Sequence, residues 1–300
     1  MAFSNPIPPE ECTDCGPFLL DVAGAFPEER IRVVSSPDRR DSNPEVEAVI
    51  EKTWIEEIAA AHEAGRHLYN GRLYRLAGWA CEGGVLTLTL GPTSFKEFMG
   101  TNLTHAYLRY LYGPEVLADV LGVSAAVCTA DGFVLLGRRS EQVALHRGRI
   151  QAIGGVMEAA AHAGPRPAGE APDSAAPPHP TRVTLQELRE EIGIGPDQVR
   201  SILCLGMVRE KHIVQPELIF DAEVVATADQ VLHLQAGAEH GEEHAELVPV
   251  RDDPAGVVAF LEQNYADLTP VAMATLLLHG LHRWGSGWFA TTRGYLRGAM

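Results

Sequence analysis

Residues 186–194 read Gln186-Glu187-Leu188-Arg189-Glu190-Glu191-Ile192-Gly193-Ile194. On a helix, positions i, i+3 and i+4 share a face. Glu187, Glu190 and Glu191 therefore gather three carboxylates on one patch, while Leu185, Leu188 and Ile192 turn elsewhere and can pack. Three carboxylates so close repel one another unless a cation sits among them. A hard divalent ion with oxygen ligands is the natural resolution, and Mg2+ suits a site that also holds substrate phosphates. Taken alone, an E-x-x-E-E run also describes a solvated acidic face. What lies on either side of it decides between the two readings.

Upstream, Val123 to Thr129 is a run of small and β-branched residues. Asp131-Gly132 makes a turn, and Phe133 to Leu136 resumes the strand, which predicts a hairpin. Arg138 and Arg139 follow at the strand end, and Ile150 to Ile153 leads into Gly154-Gly155. Residues 159–180 are Ala, Pro, Gly and polar residues with little else, the composition of a surface insert. The carboxylate helix then starts near Thr181 or Thr184, with Gly193 and Gly195 as stops. Downstream, 202–208 and 218–225 read as strands and 247–250 as a short one. Helices are expected near 254–266 and 270–284, the second opened by Thr269-Pro270.

Towards the N-terminus, residues 1–30 read as a mostly irregular arm and Ile31 to Val34 as a short strand. Asn43-Pro44 opens a helix with Val46, Ile50, Trp54, Ile55 and Ile58 at helical spacing. Leu73–Ala80 and Val85–Leu90 read as strands joined by Glu82-Gly83-Gly84. Ser94-Phe95-Lys96-Glu97 has capping-box spacing.

In this context the chain resembles the Nudix hydrolases, whose box reads G-x5-E-x7-R-E-U-x-E-E-x-G-U, with U a bulky aliphatic residue. Gly155 resembles its first glycine. Glu187, Leu188, Glu190, Glu191, Gly193 and Ile194 match its second half in order. The resemblance implies that Glu187, Glu190 and Glu191 are metal ligands, with one assisting the attacking water, and that the cofactor is Mg2+ with Mn2+ as a substitute. The chain departs from the box at two positions, where Ala161 stands for its glutamate and Gln186 for its arginine. Glu158 and Glu170 are candidate replacements for the missing glutamate. A narrower resemblance, to a UDP-glucose- and UDP-galactose-cleaving branch of the family in animals, rests on Gly91-Pro92-Thr93-Ser94-Phe95-Lys96-Glu97-Phe98-Met99-Gly100-Thr101-Asn102. Leu121 to Ala126 and Arg138 to Val143 extend it.

The resemblance implies a Nudix α/β/α sandwich over 119–300, carrying the insert at 159–180, preceded by a smaller mixed α/β domain over 1–118. It implies hydrolysis of a UDP-sugar to UMP and a sugar 1-phosphate. Arg138, Arg139, Gly155 and Asn102 are the candidate substrate-binding residues. Glu243 and Glu217 are candidates for a further ligand or base, each set against an ordinary surface or strand role. Two other readings use the same residues: a Nudix hydrolase of another conjugate such as ADP-ribose, and a catalytically silent nucleotide-binding module.

Composition narrows the partners. A formal net charge of -16 argues against nucleic acid but not against a small phosphorylated ligand whose charge a divalent ion offsets. No stretch reaches the roughly 20 apolar residues of a membrane span. The opening Met-Ala-Phe-Ser-Asn-Pro has no basic segment followed by an apolar run. Cys12 and Cys15 form one C-x-x-C with no second pair at zinc spacing, and an odd, scattered cysteine set suits the reducing cytoplasm. Cys128 and Cys204 lie in strand-like runs and read as buried and inert. His279 and His282, on the last expected helix, read as packing or surface residues. Oligomeric state leaves no signature in the sequence.

Overall fold

The computed structural model describes residues 13–140, 146–159 and 177–298. In chain order the strands are β1 (Thr13–Asp14), β2 (Phe18–Phe26), β3 (Ile31–Ser35), β4 (Arg72–Glu82), β5 (Val85–Ser94), β6 (Gly122–Cys128), β7 (Phe133–Arg139), β8 (Ile150–Gln151), β9 (Ile153–Val156), β10 (Val199–Glu210), β11 (Pro216–Val224) and β12 (His244–Arg251). The helices are α1 (Pro44–Glu63), α2 (Phe95–Phe98), α3 (Leu108–Tyr112), α4 (Pro180–Ile192), α5 (Ala228–Gln235), α6 (Pro254–Asn264), α7 (Pro270–Trp284) and α8 (Ser286–Gly298).

Among the described residues a nine-stranded sheet runs β1-β2-β10-β11-β6-β7-β12. The β6–β11 pair is parallel and the others are antiparallel. The sheet splays between β6 and β7, which pair only at Val127–Leu135 and Cys128–Val134. β9 fills the gap against β6 and β8 against β7. That splay carries the Gly154-Gly155 strand into the middle of the sheet.

Successive side chains of a strand point to opposite faces, and here the two faces meet different helices. Val123, Ala125, Leu135 and Phe220 join Leu188, Ile192 and Ile194 of the α4 segment in one core. Ala126, Leu136 and Ile219 join Leu276, Leu277 and Val257 of α7 and α6 in another. The expected α/β/α sandwich is present. Each fully buried leucine or isoleucine contributes about 1.5–3 kcal/mol, which anchors α4 while its other side carries charge.

The arm expected over 1–30 contains a nine-residue strand. β2 pairs with β10 and sends Val22 and Phe26 to one core and Phe18, Leu20 and Ala23 to the other. Both faces are covered, so FLLDVAGAF shows no apolar–polar alternation. The second sheet, β3-β5-β4, packs Leu86, Leu88 and Leu90 into the same core as α4. Chain on both sides of residue 118 thus shares one sheet and one core, which the expected division at 118/119 did not anticipate.

Asn43 caps α1 through its side-chain oxygen, which accepts from Glu45 N, with Pro44 in the first turn. Its buried face is Val46, Ile50, Thr53, Trp54 and Ala61. Ile55 and Ile58, counted in the apolar stripe from sequence, are exposed. No helix among the described residues is long and apolar enough to cross a membrane.

Candidate active site

The carboxylate helix α4 begins one turn ahead of Thr184. His179 is its N-cap, its Nδ1 accepting from Thr181 N at 3.3 Å, and Pro180 follows. Gly193 ends it in the left-handed conformation, φ 72°, its N–H returning to Arg189 O and Leu188 O. The helix lies across β9. A Cβ on Gly154 would stand 2.0 Å from Val123 O, and one on Gly155 would stand 2.5 Å from Glu187 Oε1. Glycine at 154 lets β9 approach β6, and glycine at 155 leaves the space that the Glu187 carboxylate occupies.

The three glutamates have different surroundings. Glu191 is buried, and its Oε2 accepts from Gly154 N at 3.2 Å and lies 3.0 Å from His244 Nε2. Glu190 Oε1 accepts from Gln186 Nε2 at 2.9 Å and from Arg189 at 3.1 Å. Gln186, which stands where the family box has arginine, thus holds one of the carboxylates through a neutral bond. Burial, then the charges of Glu191, Glu190, Glu243 and Glu158, push the Glu187 carboxyl up to about 9. Burial and then Glu243 push Glu191 up to about 8, against Arg139, which lowers it. Burial, aided by Arg139, lowers His244 to about 4, so its ring is neutral at neutral pH.

The loop after α5 supplies Glu243, and the first residue of β12 is His244. His240 N donates to Glu190 O at 2.7 Å, Ser140 N to Glu243 O at 2.8 Å, and Gln235 Nε2 to Gly241 O and His244 O. Both the helix and the end of β7 therefore hold this loop. Glu243 Oε2 lies 3.8 Å from an Arg139 guanidinium nitrogen.

Glu158, Glu190, Glu191 and Glu243 all bear on the Glu187 carboxylate, and Glu243 also bears on Glu191, with Arg139 at the edge. Like charges compressed until their acidity falls are relieved by a hard cation, and an all-oxygen donor set fits a divalent one. Glu170 and Ala161 lie outside the described residues.

Three sequence candidates stand elsewhere. Arg138 and Arg139 are adjacent on β7 and point to opposite faces. Arg138 turns to the α7 side, where it donates to Glu246 Oε1 at 2.8 Å and to Gly148 O at 2.9 Å. Asn102 is fully buried in a π-helical turn over Met99–Leu103. Its Nδ2 donates to Asp119 Oδ1 at 3.2 Å and to Ile213 O at 3.0 Å, and its Oδ1 accepts from Asp119 N at 3.0 Å. That amide is spent on joining three segments and offers no surface to a ligand, which corrects the substrate-binding expectation for Asn102. Glu217 is on the α7 face, where it accepts from Ser124 Oγ at 2.6 Å. Burial, partly offset by that bond, pushes it up to about 8.

His244 was missed in the sequence. The one local sign of it is Gly137 on the neighbouring strand, where a Cβ would stand 2.1 Å from His244 Nδ1. Nothing in sequence links those two positions.

A carboxylate helix laid over a Gly-Gly strand of an α/β/α sandwich is a scaffold that can hold a cation against a polyanion. No family model matches the chain. It is 30% identical over 285 residues to the uridine diphosphate glucose pyrophosphatase NUDT22 of Homo sapiens, spanning 85% of this chain and 89% of that one. It is 29% identical over 279 residues to the Bos taurus protein of the same name, spanning 85% and 93%. To Nudix hydrolase 9 of Arabidopsis thaliana it is 25% identical over 233 residues, spanning 70% and 74%. The chain belongs to the Nudix hydrolase family.

Proposed function

We propose that the chain hydrolyses the pyrophosphate bond of a UDP-sugar, UDP-glucose or UDP-galactose, to UMP and a sugar 1-phosphate, with Mg2+ as cofactor. The observation that carries this is the gathering of Glu187, Glu190 and Glu191 on one helix beside Gly154-Gly155, with Glu187 and Glu191 held above their ordinary pKa first by burial and then by neighbouring carboxylates. The relatives' name supplies the substrate class.

Glu187, Glu190 and Glu191 would hold the cation. Bound there, a divalent ion supplies Lewis-acid neutralisation of the pyrophosphate's charge. Arg139, on the same face as Glu191, pairs with phosphate oxygens and steadies the leaving phosphate. Water attacks one phosphorus, the P–O bond to the bridging oxygen breaks, and the other phosphate leaves with that oxygen. The proton that water loses passes to the carboxylate cluster, whose negative charge favours accepting it.

The test is turnover of UDP-glucose, UDP-galactose, ADP-ribose and GDP-mannose in separate Mg2+-containing reactions, with products separated by chromatography. UMP from the UDP-sugars alone supports the reading. Preferential cleavage of another conjugate replaces the substrate and keeps the reaction. No product from any of them, with no Mg2+ bound, makes the chain a silent module. Single Glu→Gln variants at 187, 190 and 191 should each lose turnover while keeping the fold, and retained activity in all three would remove the assignment.

A further inference from the structure

We propose that His244 is a positioning residue that divides the two oxygens of Glu191, fixing one so that the other is presented to a divalent cation. The inference rests on the reading of Glu191 as a metal ligand and goes beyond it, to what makes that carboxylate a ligand in one orientation.

The geometry is specific. Glu191 Oε2 takes two hydrogen bonds, from the backbone N–H of Gly154 and from the His244 ring. Glu191 Oε1 takes none from the described residues. One oxygen is thus committed to the protein and the other left for a ligand. A buried carboxylate in a crowd of like charges would otherwise rotate to put either oxygen inward or turn away from Glu187 and Glu243. Two donors on one oxygen remove that freedom.

The ring's tautomer follows from its partners. Nδ1 of His244 is buried without a hydrogen-bond partner, and Nε2 faces Glu191. A buried N–H with no acceptor forfeits a full hydrogen bond, whereas a bare ring nitrogen forfeits less. The proton therefore sits on Nε2 and is donated to the carboxylate. The ring is confined on the side that faces β7. It lies directly over Gly137, where even a methyl group would overlap Nδ1 at 2.1 Å. Its backbone oxygen is bonded by Gln235. Gly137 and Gly154 thus serve one carboxylate from two strands, the first by making room for its ring donor and the second by being its backbone donor.

Hydrogen-bonding partners of metal-binding side chains are typically worth about 10–100-fold in metal affinity. The experiment is isothermal titration of the full chain with Mn2+, without substrate, alongside thermal unfolding. His244→Leu removes the donor at similar volume and should weaken Mn2+ binding by about 10–100-fold. His244→Gln restores an N–H donor and should recover to within a few-fold of the parent. Gly137→Ala leaves the histidine intact but displaces it, and should reproduce the affinity loss of His244→Leu. It also serves if His244→Leu fails to fold. A residue needed only for packing would lower the melting temperature in these variants and leave Mn2+ affinity unmoved, and that result overturns the proposal. Glu191→Gln separates the two ways to fail. If it binds Mn2+ as well as the parent, Glu191 is no ligand and the proposal falls with the underlying reading. If it loses binding while His244→Leu and Gly137→Ala keep it, only the role of His244 falls.

Discussion

Gly155→Ala isolates the geometry of the site from its chemistry, because no functional group is removed. The φ of Gly155 lies outside the left-handed range, so alanine fits its backbone without strain. The new Cβ would stand 2.5 Å from Glu187 Oε1, 2.7 Å from its Cδ and 3.0 Å from Oε2. Ordinary contact requires roughly 3.5 Å, so the carboxylate has to retreat by about 1 Å. It is the end of a flexible side chain and can do so by a small change of rotamer, which makes the effect on folding slight. The effect on catalysis should not be slight, since a misplacement of about 1 Å costs about 10²-fold in rate, or about 2.7 kcal/mol in the barrier. The expected result is a fall of about 10²-fold in kcat with Mg2+ and UDP-glucose and a melting temperature close to the parent's. Gly287→Ala, where a Cβ meets nothing within 4 Å, is the control for alanine at a glycine. If Gly155→Ala keeps kcat within threefold of the parent while Glu187→Gln abolishes turnover, the position of the Glu187 carboxylate does not set the rate, and the account of the Gly155 space is wrong.

Three further outcomes follow from the structure. The Glu187 and Glu191 carboxyls, raised to about 9 and about 8, keep protons in the folded metal-free chain that the unfolded chain releases near pH 4.5; stability from these groups is full below about pH 4.5 and drains as pH rises to 8–9. A cation that displaces those protons should therefore raise the melting temperature more at pH 9 than at pH 6, and an equal or smaller shift at pH 9 would count against it. His279, fully buried, donates from Nδ1 to Asp221 Oδ2 at 2.9 Å and from Nε2 to Asp252 Oδ1 at 2.8 Å. Against burial, which lowers it, these bonds hold its proton affinity well above the ordinary value. His279→Ala should cost about 3–5 kcal/mol by urea denaturation near neutral pH, and the deficit should narrow in alkali as the parent's imidazolium loses its proton; a deficit under 1 kcal/mol would place this pair with ordinary surface ion pairs. Asn102→Ala should cost about 1–3 kcal/mol, the price of buried groups left unsatisfied, with KM for the UDP-sugar unchanged, whereas a raised KM at full stability would return Asn102 to the substrate.

What could be read in the sequence was whatever its neighbours along the chain fix. The i, i+3, i+4 spacing of Glu187, Glu190 and Glu191 is a property of one helix, and Asn43-Pro44 and Thr269-Pro270 state their caps within two residues. Roles set by register across the sheet were silent. Arg138 and Arg139 are equivalent in sequence, and only the pairing of β7 with β12 sends one to Glu246 and the other to Glu243. His244 meets Glu191 from 53 residues away, beside a glycine whose contribution is the absence of a side chain. Asn102 lies in a segment with a sufficient local reading, the cap at Ser94, yet Ile213 is 111 residues distant.

The same parity explains why perturbed acidity does not by itself mark the site. Glu217 is raised to about 8, as Glu191 is, and a ranking by shift alone would not separate them. Glu217 shares its face of β11 with Ile219 and Asp221, turned towards α7, and Ser124 satisfies it with a 2.6 Å bond. Its shift arises chiefly from burial, with Glu210 as the like-charged neighbour that raises it. Glu187 is raised by burial and then by four other carboxylates arriving from α4, the segment just after β9 and the loop before β12. A lone buried acid lowers its energy by keeping its proton. A crowd of acids takes up protons for the further reason of mutual repulsion, which one divalent cation within reach of them relieves as well, and close approaches at Gly154, Gly155 and Gly137 set the places of Glu187, Glu191 and His244. Convergence from independent elements, more than the size of any shift, is what distinguishes a site built to bind a cation from a carboxyl that the core has merely enclosed.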